Sequence, residues 1–213
     1  MSQPEITGAS IVLLGSFNPA IFHPAWFQSH ELIRTQEAES AQLDITHPEV
    51  SSFSTDWFKV SVFVKRFVAE TADAHHFEPL RDLVLGIFKL LEHTPASKMG
   101  LNRDMHFRIP SRERWHGFGH LVAPKKPWQK IMSEPGLISL VMQDTRKDPP
   151  GFIRVKVEPS TKVEHGVYIQ INNHYEAKEK EGLLNFMEIL KKSWAEVLEN
   201  SEKIAEQLLS QEF

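Results

Sequence analysis

Residues 53–109 read FSTDWFKVSVFVKRFVAETADAHHFEPLRDLVLGIFKLLEHTPASKMGLNRDMHFRI. The period of the apolar residues changes twice along this stretch. Between Trp57 and Lys65, Phe58, Val60, Val62 and Val64 alternate with Lys59, Ser61 and Lys65, the two-residue period of a half-buried strand. Between Phe77 and Leu91, Phe77, Leu80, Leu83, Val84, Ile87, Phe88 and Leu91 recur every three or four residues, the stripe of a packed helix. Met105, Phe107 and Ile109 then alternate with Asp104, His106 and Arg108. The stretch predicts a strand–helix–strand unit. Pro79 is tolerated in the first helical turn, and Thr94-Pro95 stops the helix.

On the amino-terminal side, Ser2 to Gly8 reads as a frayed end and Ala9 to Phe17 as a strand with apolar residues on both faces. Pro24 suits the first turn of a short helix, with Trp26, Phe27, His30 and Ile33 inward. Residues 34–42 fit helix or loop equally, and Leu43 and Ile45 a short strand before His47-Pro48. On the carboxy-terminal side, residues 110–128 show no regular period. With Gly117, Gly119 and three prolines they read as a long ordered loop, a kind of segment that is often functional. Leu137 to Met142 is an apolar strand, and Asp148-Pro149-Pro150-Gly151 a turn. Phe152 to Glu158 and Gly166 to Asn173 form a hairpin with one dry and one wet face. Residues 181–209 form a long amphipathic helix whose stripe Ser201 interrupts.

This order predicts an α+β fold: a mainly antiparallel sheet, a central strand–helix–strand unit, and the last helix packed on one face. A single domain over residues 1–213 is expected; the alternative divides it into 9–132 and 133–213.

The 213 residues suffice for an independent core. No apolar run approaches the roughly 20 residues that span a bilayer, and the start of the chain lacks a basic segment followed by an apolar one. No membrane partner and no secretory signal are expected. With no cysteine, disulfides and thiolate chemistry are excluded, and a reducing, cytoplasmic setting is the expectation. The net charge of -4 is unevenly spread. Residues 98–130 hold eight Lys and Arg against two acids, a local +6, whereas residues 163–213 hold five against ten, a local -5.

Gly15-Ser16-Phe17-Asn18-Pro19, with His23 beyond, resembles the opening of the HxGH nucleotidyltransferases, particularly the nicotinamide-nucleotide adenylyltransferases. There the resemblance implies a parallel α/β fold and a histidine on nucleotide phosphates. It ends within about five residues: Pro24 stands where the family's final histidine belongs, Ile21 replaces the first polar position, and the downstream serine- and arginine-rich signature is missing. Asn-Pro after a strand is also an ordinary turn. His116 and His120 are four apart, a zinc-ligand spacing on a helix, but the glycines between them argue against a helix there. No metal or cofactor is therefore expected. No nucleophile elbow, metalloprotease or phosphate-loop motif is found. Ser160 and His174 sit at hairpin ends, where turn chemistry accounts for them.

The remaining signal is the basic middle: Arg103, Arg108, Arg112, Arg114, Lys125, Lys126 and Lys130, interleaved with Trp115, Phe118 and Trp128. Arginine and tryptophan are the usual anchors of protein interfaces. The leading expectation is a non-enzymatic interaction or assembly subunit that contacts another protein through the 110–128 segment and the outer face of the last hairpin. The first alternative is a nucleic-acid-binding subunit, since arginine neutralises phosphates and aromatics stack on bases. The second is an enzyme of unrecognised type. The last helix could also join copies of the chain into a homo-oligomer.

Overall fold

The computed structural model describes residues 3–177 and 182–211. They form nine strands: β1 (Ile6–Gly15), β2 (Gln42–His47), β3 (Val50–Ser54), β4 (Lys59–Phe63), β5 (Arg66–Thr71), β6 (Ala96–Arg108), β7 (Leu140–Arg146), β8 (Gly151–Pro159) and β9 (Gly166–Glu176). Five α-helices accompany them: α1 (Pro24–Ser29), α2 (Thr35–Ser40), α3 (Phe77–Leu90), α4 (Arg112–Val122) and α5 (Gly182–Leu209). The strands make one sheet in the order β2-β3-β4-β5-β1-β6-β9-β8-β7, and every pair is antiparallel. The fold class is therefore α+β, with the long last helix on the sheet.

Alternation decides which face each side chain occupies. Ile11 and Leu13 of β1, Phe67 and Ala69 of β5, Met99, Leu101, Met105 and Phe107 of β6, and Ile169 and Ile171 of β9 all point to the helical side. Two buried clusters form there. The larger joins β1, β3, β4 and β5 to α1, α3 and the first half of α5. The smaller joins β6, β8 and β9 to Phe118 of α4 and Ala205 of α5. At 28 residues, α5 extends about 42 Å, long enough to serve both. Ser201, buried in its stripe, donates to Val197 O at 2.7 Å, so its hydroxyl is satisfied within the helix. The alternative division at 132/133 falls between α4 and β7, and the sheet runs across it where β6 pairs with β9.

Three sequence expectations are corrected. Of the stretch expected to fray, Ser2 lies outside the described residues, but Ile6 to Gly8 already belong to β1, and Glu5 donates its backbone N–H to His106 O at 2.8 Å. The strand at 57–65 is really β4, ending at Phe63, and the chain turns at once into β5. No Gly, Pro or Asn marks that turn. Residues 110–128 are not a loop, because α4 occupies most of them. Ser111 Oγ caps its first turn by accepting the Arg114 N–H at 3.2 Å. Trp115, Phe118 and Val122 supply a stripe on the smaller cluster. Burial of that stripe outweighs the two glycines.

Candidate functional site

With the helices on one side, the other face of the sheet is left bare and curves into a cradle of about 1120 Å³. Its floor is the wet alternates of the central strands. Register sets them in rows. One row runs Ser10, Asn102, Asn172, Arg154 across β1, β6, β9 and β8. Asn102 Nδ2 donates to Ser10 Oγ at 3.1 Å, and Asn172 Nδ2 to Asn102 Oδ1 at 2.5 Å. Arg154 Nη2 reaches Gln143 Oε1 at 2.7 Å. In the next row Asp104 accepts from Gln170 Nε2 at 2.8 Å, and the same oxygen also accepts the Tyr168 hydroxyl. Burial, then the Asp104 carboxylate, pushes the Tyr168 phenol far above its usual range, so Tyr168 stays a neutral donor.

Two histidines flank these rows. His106 stacks on Tyr168 with ring centres 4.7 Å apart, and His174 on Phe152 at 4.3 Å. The Arg154 guanidinium lies 4.6 Å from the centre of the Phe152 ring. Burial lowers the pKa of both histidines. Lys162 adds to the effect at His106 against Asp104, while at His174 Glu176 opposes it against Lys98 and Arg154. The unfolded chain then binds more protons than the folded one just below the ordinary histidine pKa of about 6.5. Stability is therefore full above that pH and falls as the pH drops through the lowered folded values. The urea midpoint should be lower at about pH 5.5 than at about pH 7.5, and His106→Gln should shrink the difference. An unchanged difference would show that His106 is not the group responsible.

The cradle is charge-balanced. Lys59, Arg66, Lys98, Arg154 and Lys162 face Asp56, Glu70, Asp104 and Glu158. Its polar groups are held by one another, which fixes donors and acceptors in space. Ser160 illustrates the consequence. Its oxygen accepts the N–H groups of Lys162 at 3.1 Å and Val163 at 2.9 Å, and it lies 2.8 Å from His106 Nδ1. It is a turn residue with its lone pairs engaged, and its histidine neighbour is His106 rather than His174.

The basic residues singled out from sequence divide into two groups. Arg103 points to the helical face and is 2% exposed. It bonds Glu202 on α5, Thr7, and Gly8 O, so it cannot reach a phosphate or a partner's surface. Arg108 is exposed but forms a two-point pair with Glu5 at 2.5 and 3.1 Å. Arg112, Arg114, Lys126 and Lys130 are exposed on α4 and the segment after it, with Lys125 half-buried among them. Trp115 is half-buried and ties α4 to β9 through Nε1–H to Gly166 O at 2.9 Å. Beside it lies a second, smaller cavity of about 130 Å³ between α4, Gly136-Leu137 and the ends of β8 and β9. None of the eight lines the cradle.

His116 and His120 do lie one turn apart on a helix. Among the described residues, however, no group of three His, Cys, Asp or Glu is placed to hold a metal. In the Gly15–Pro19 stretch, Ser16 N–H donates to Pro95 O at 2.9 Å, Asn18 Oδ1 caps the following 3-10 turn, and His23 Nδ1 caps α1. The strand leading into it pairs antiparallel on both sides, unlike the parallel sheet that the nucleotidyltransferase resemblance implied. Among the described residues no helix is long and apolar enough to cross a membrane. No protein-family model matches the chain, and no curated protein matches it significantly.

Proposed function

We propose that this chain is a non-enzymatic interaction subunit of a cytoplasmic complex that holds another protein against the bare face of its sheet. The observation carrying this reading is the cradle itself. It is larger than the roughly 300–1000 Å³ of common small-molecule pockets. It has nearly balanced charge, and it offers donors and acceptors in rows, as a polypeptide surface does. The outer face of the last hairpin, with Arg154, Glu158, Tyr168 and Gln170, forms one wall. The nucleic-acid alternative has less support, since Arg103 and Arg108 are committed to Glu202 and Glu5.

The test is a photo-crosslinking amino acid placed at Gln170 in the cradle or, as control, at Gln36 on α2, in cells of the native host. A single crosslinked protein of defined mass is expected from position 170 and not from 36. Arg154→Glu, an exposed change on the wall, should reduce that product by about tenfold, the scale of a lost interface contact. Equal crosslinking from both positions, or indifference to Arg154→Glu, would remove the cradle as the contact surface.

A further inference from the structure

The small cavity beside α4 has its own chemistry. Trp115, Phe118, Val157, Val167 and Leu137 make its walls apolar, and its volume of about 130 Å³ suits a single side chain. Two of its lining residues are glycines. A Cβ built at Gly119 or at Gly136 meets nothing within 4 Å. Glycine inside a helix is unfavourable relative to alanine, so Gly119 weakens α4. The lining holds one cation, Lys125, and one carboxylate, Glu158, which pairs with Lys156 at 3.2 Å. Residues 112–130, which supply one side of the cavity, carry five Lys and Arg against Glu113 alone, a local +4. Among the described residues Lys125, Lys126 and Lys130 form no ion pair.

We infer that this cavity is a docking site for an acidic peptide segment that inserts one bulky apolar side chain beside Gly119 while its carboxylates meet the lysines and arginines around the mouth. An apolar anchor in a preformed pocket with complementary charge at the rim is a common division of labour in peptide recognition. The site adjoins the cradle at Glu158 and Pro159, and the rest of its lining is its own. It rests on the protein-binding reading only in that its occupant is a polypeptide.

The test uses a fluorescein-labelled five-residue peptide with a central phenylalanine and two acidic residues on each side, titrated with the full chain by fluorescence polarisation. Binding at tens of micromolar, about the scale of one anchored side chain plus rim charges, is expected. The same peptide with a central alanine should bind about tenfold or more weakly. Gly119→Leu fills the cavity and should cost about tenfold or more without lowering the thermal unfolding midpoint. Lys125→Glu with Lys126→Glu should weaken binding, and raising salt from about 50 to about 300 mM should weaken it in the unmodified chain. Absence of binding at about 1 mM, or affinity untouched by Gly119→Leu, would overturn the assignment. So would tighter binding of a ten-nucleotide single strand than of the peptide. A dimer in sedimentation that Gly119→Leu turns into a monomer would give the cavity to a second copy instead. The peptide is read with the cradle unaltered, so failure here leaves the crosslinking result standing.

Discussion

Replacing Trp194 by alanine is expected to lower the unfolding free energy by about 4 kcal/mol, the usual cost of emptying a fully buried tryptophan site. Trp194 is 0% exposed and is among the largest side chains sealed in the core. It stands midway along α5 and belongs to the cluster formed with β1, β4 and α3. Stability of a domain is typically about 5–15 kcal/mol, so this one change removes a large share of it. Trp194→Phe is the informative companion. The indole N–H has no hydrogen-bond partner among the described residues, so phenylalanine loses volume but breaks no bond, and a cost of about 1 kcal/mol is expected. Urea unfolding followed by circular dichroism measures both. A loss below about 1.5 kcal/mol for the alanine variant would mean that α5 is not seated as described.

The second large effect concerns the contact between α5 and β6. Arg103 is buried against the sheet, its guanidinium 4.6 Å from the centre of the Phe77 ring, with Nη2 2.8 Å from Glu202 Oε1. Glu202→Leu should cost about 3 kcal/mol, because it leaves a buried cation without its counter-charge. That is the low end for breaking such pairs, and the reason is geometric: Glu202 is 53% exposed, so water already shares its carboxylate. Arg103→Met combined with Glu202→Leu should return to within about 1 kcal/mol of the unmodified protein, since no uncompensated charge then remains. Denaturation of the two single variants and the double variant gives the coupling directly. A double variant as unstable as Glu202→Leu alone would show that packing, rather than charge, is what Arg103 contributes.

Sequence showed those parts of the fold that repeat locally. The α3 stripe from Phe77 to Phe88, the β8–β9 hairpin around Pro159, and α5 from Leu183 onward each carry several turns of one period between clear stop signals. Helix α4 was hidden because Gly117 and Gly119 read as loop residues, whereas Trp115, Phe118 and Val122 gain their burial from distant strands. The β4–β5 turn at Val64-Lys65 carries no turn residue, so two short strands read as one.

The cradle was half legible. The outer face of the hairpin was singled out from sequence, but Ser10, Asn102 and Asp104 were not. They are ordinary wet positions on their own strands. Only pairing between residues more than ninety apart sets Ser10 beside Asn102. A signal was present in the kind of polar residue: Tyr168, Gln170, Asn172 and His174 follow one another on the wet face of β9 before Glu176 ends it, unlike the Lys- and Glu-covered outside of α5. The opposite lesson comes from Arg103. Clustering in sequence put it with Arg112 and Arg114, while strand alternation turned it to the other face of the sheet.

The place of β1 has a consequence for how the protein is made. This strand leaves the ribosome before the rest of the sheet, yet its neighbours are β5 and β6, whose paired residues lie roughly sixty and ninety positions later. At about 5–20 residues per second, β1 waits several seconds, up to roughly 20, before both partners exist. Throughout that interval its alternating Ile11, Leu13 and Val12, Leu14 present an unpaired strand with two apolar sides. Synthesis thus passes through a stage at which a strand-binding chaperone, or a neighbouring nascent chain, competes with the native partners for the centre of the sheet.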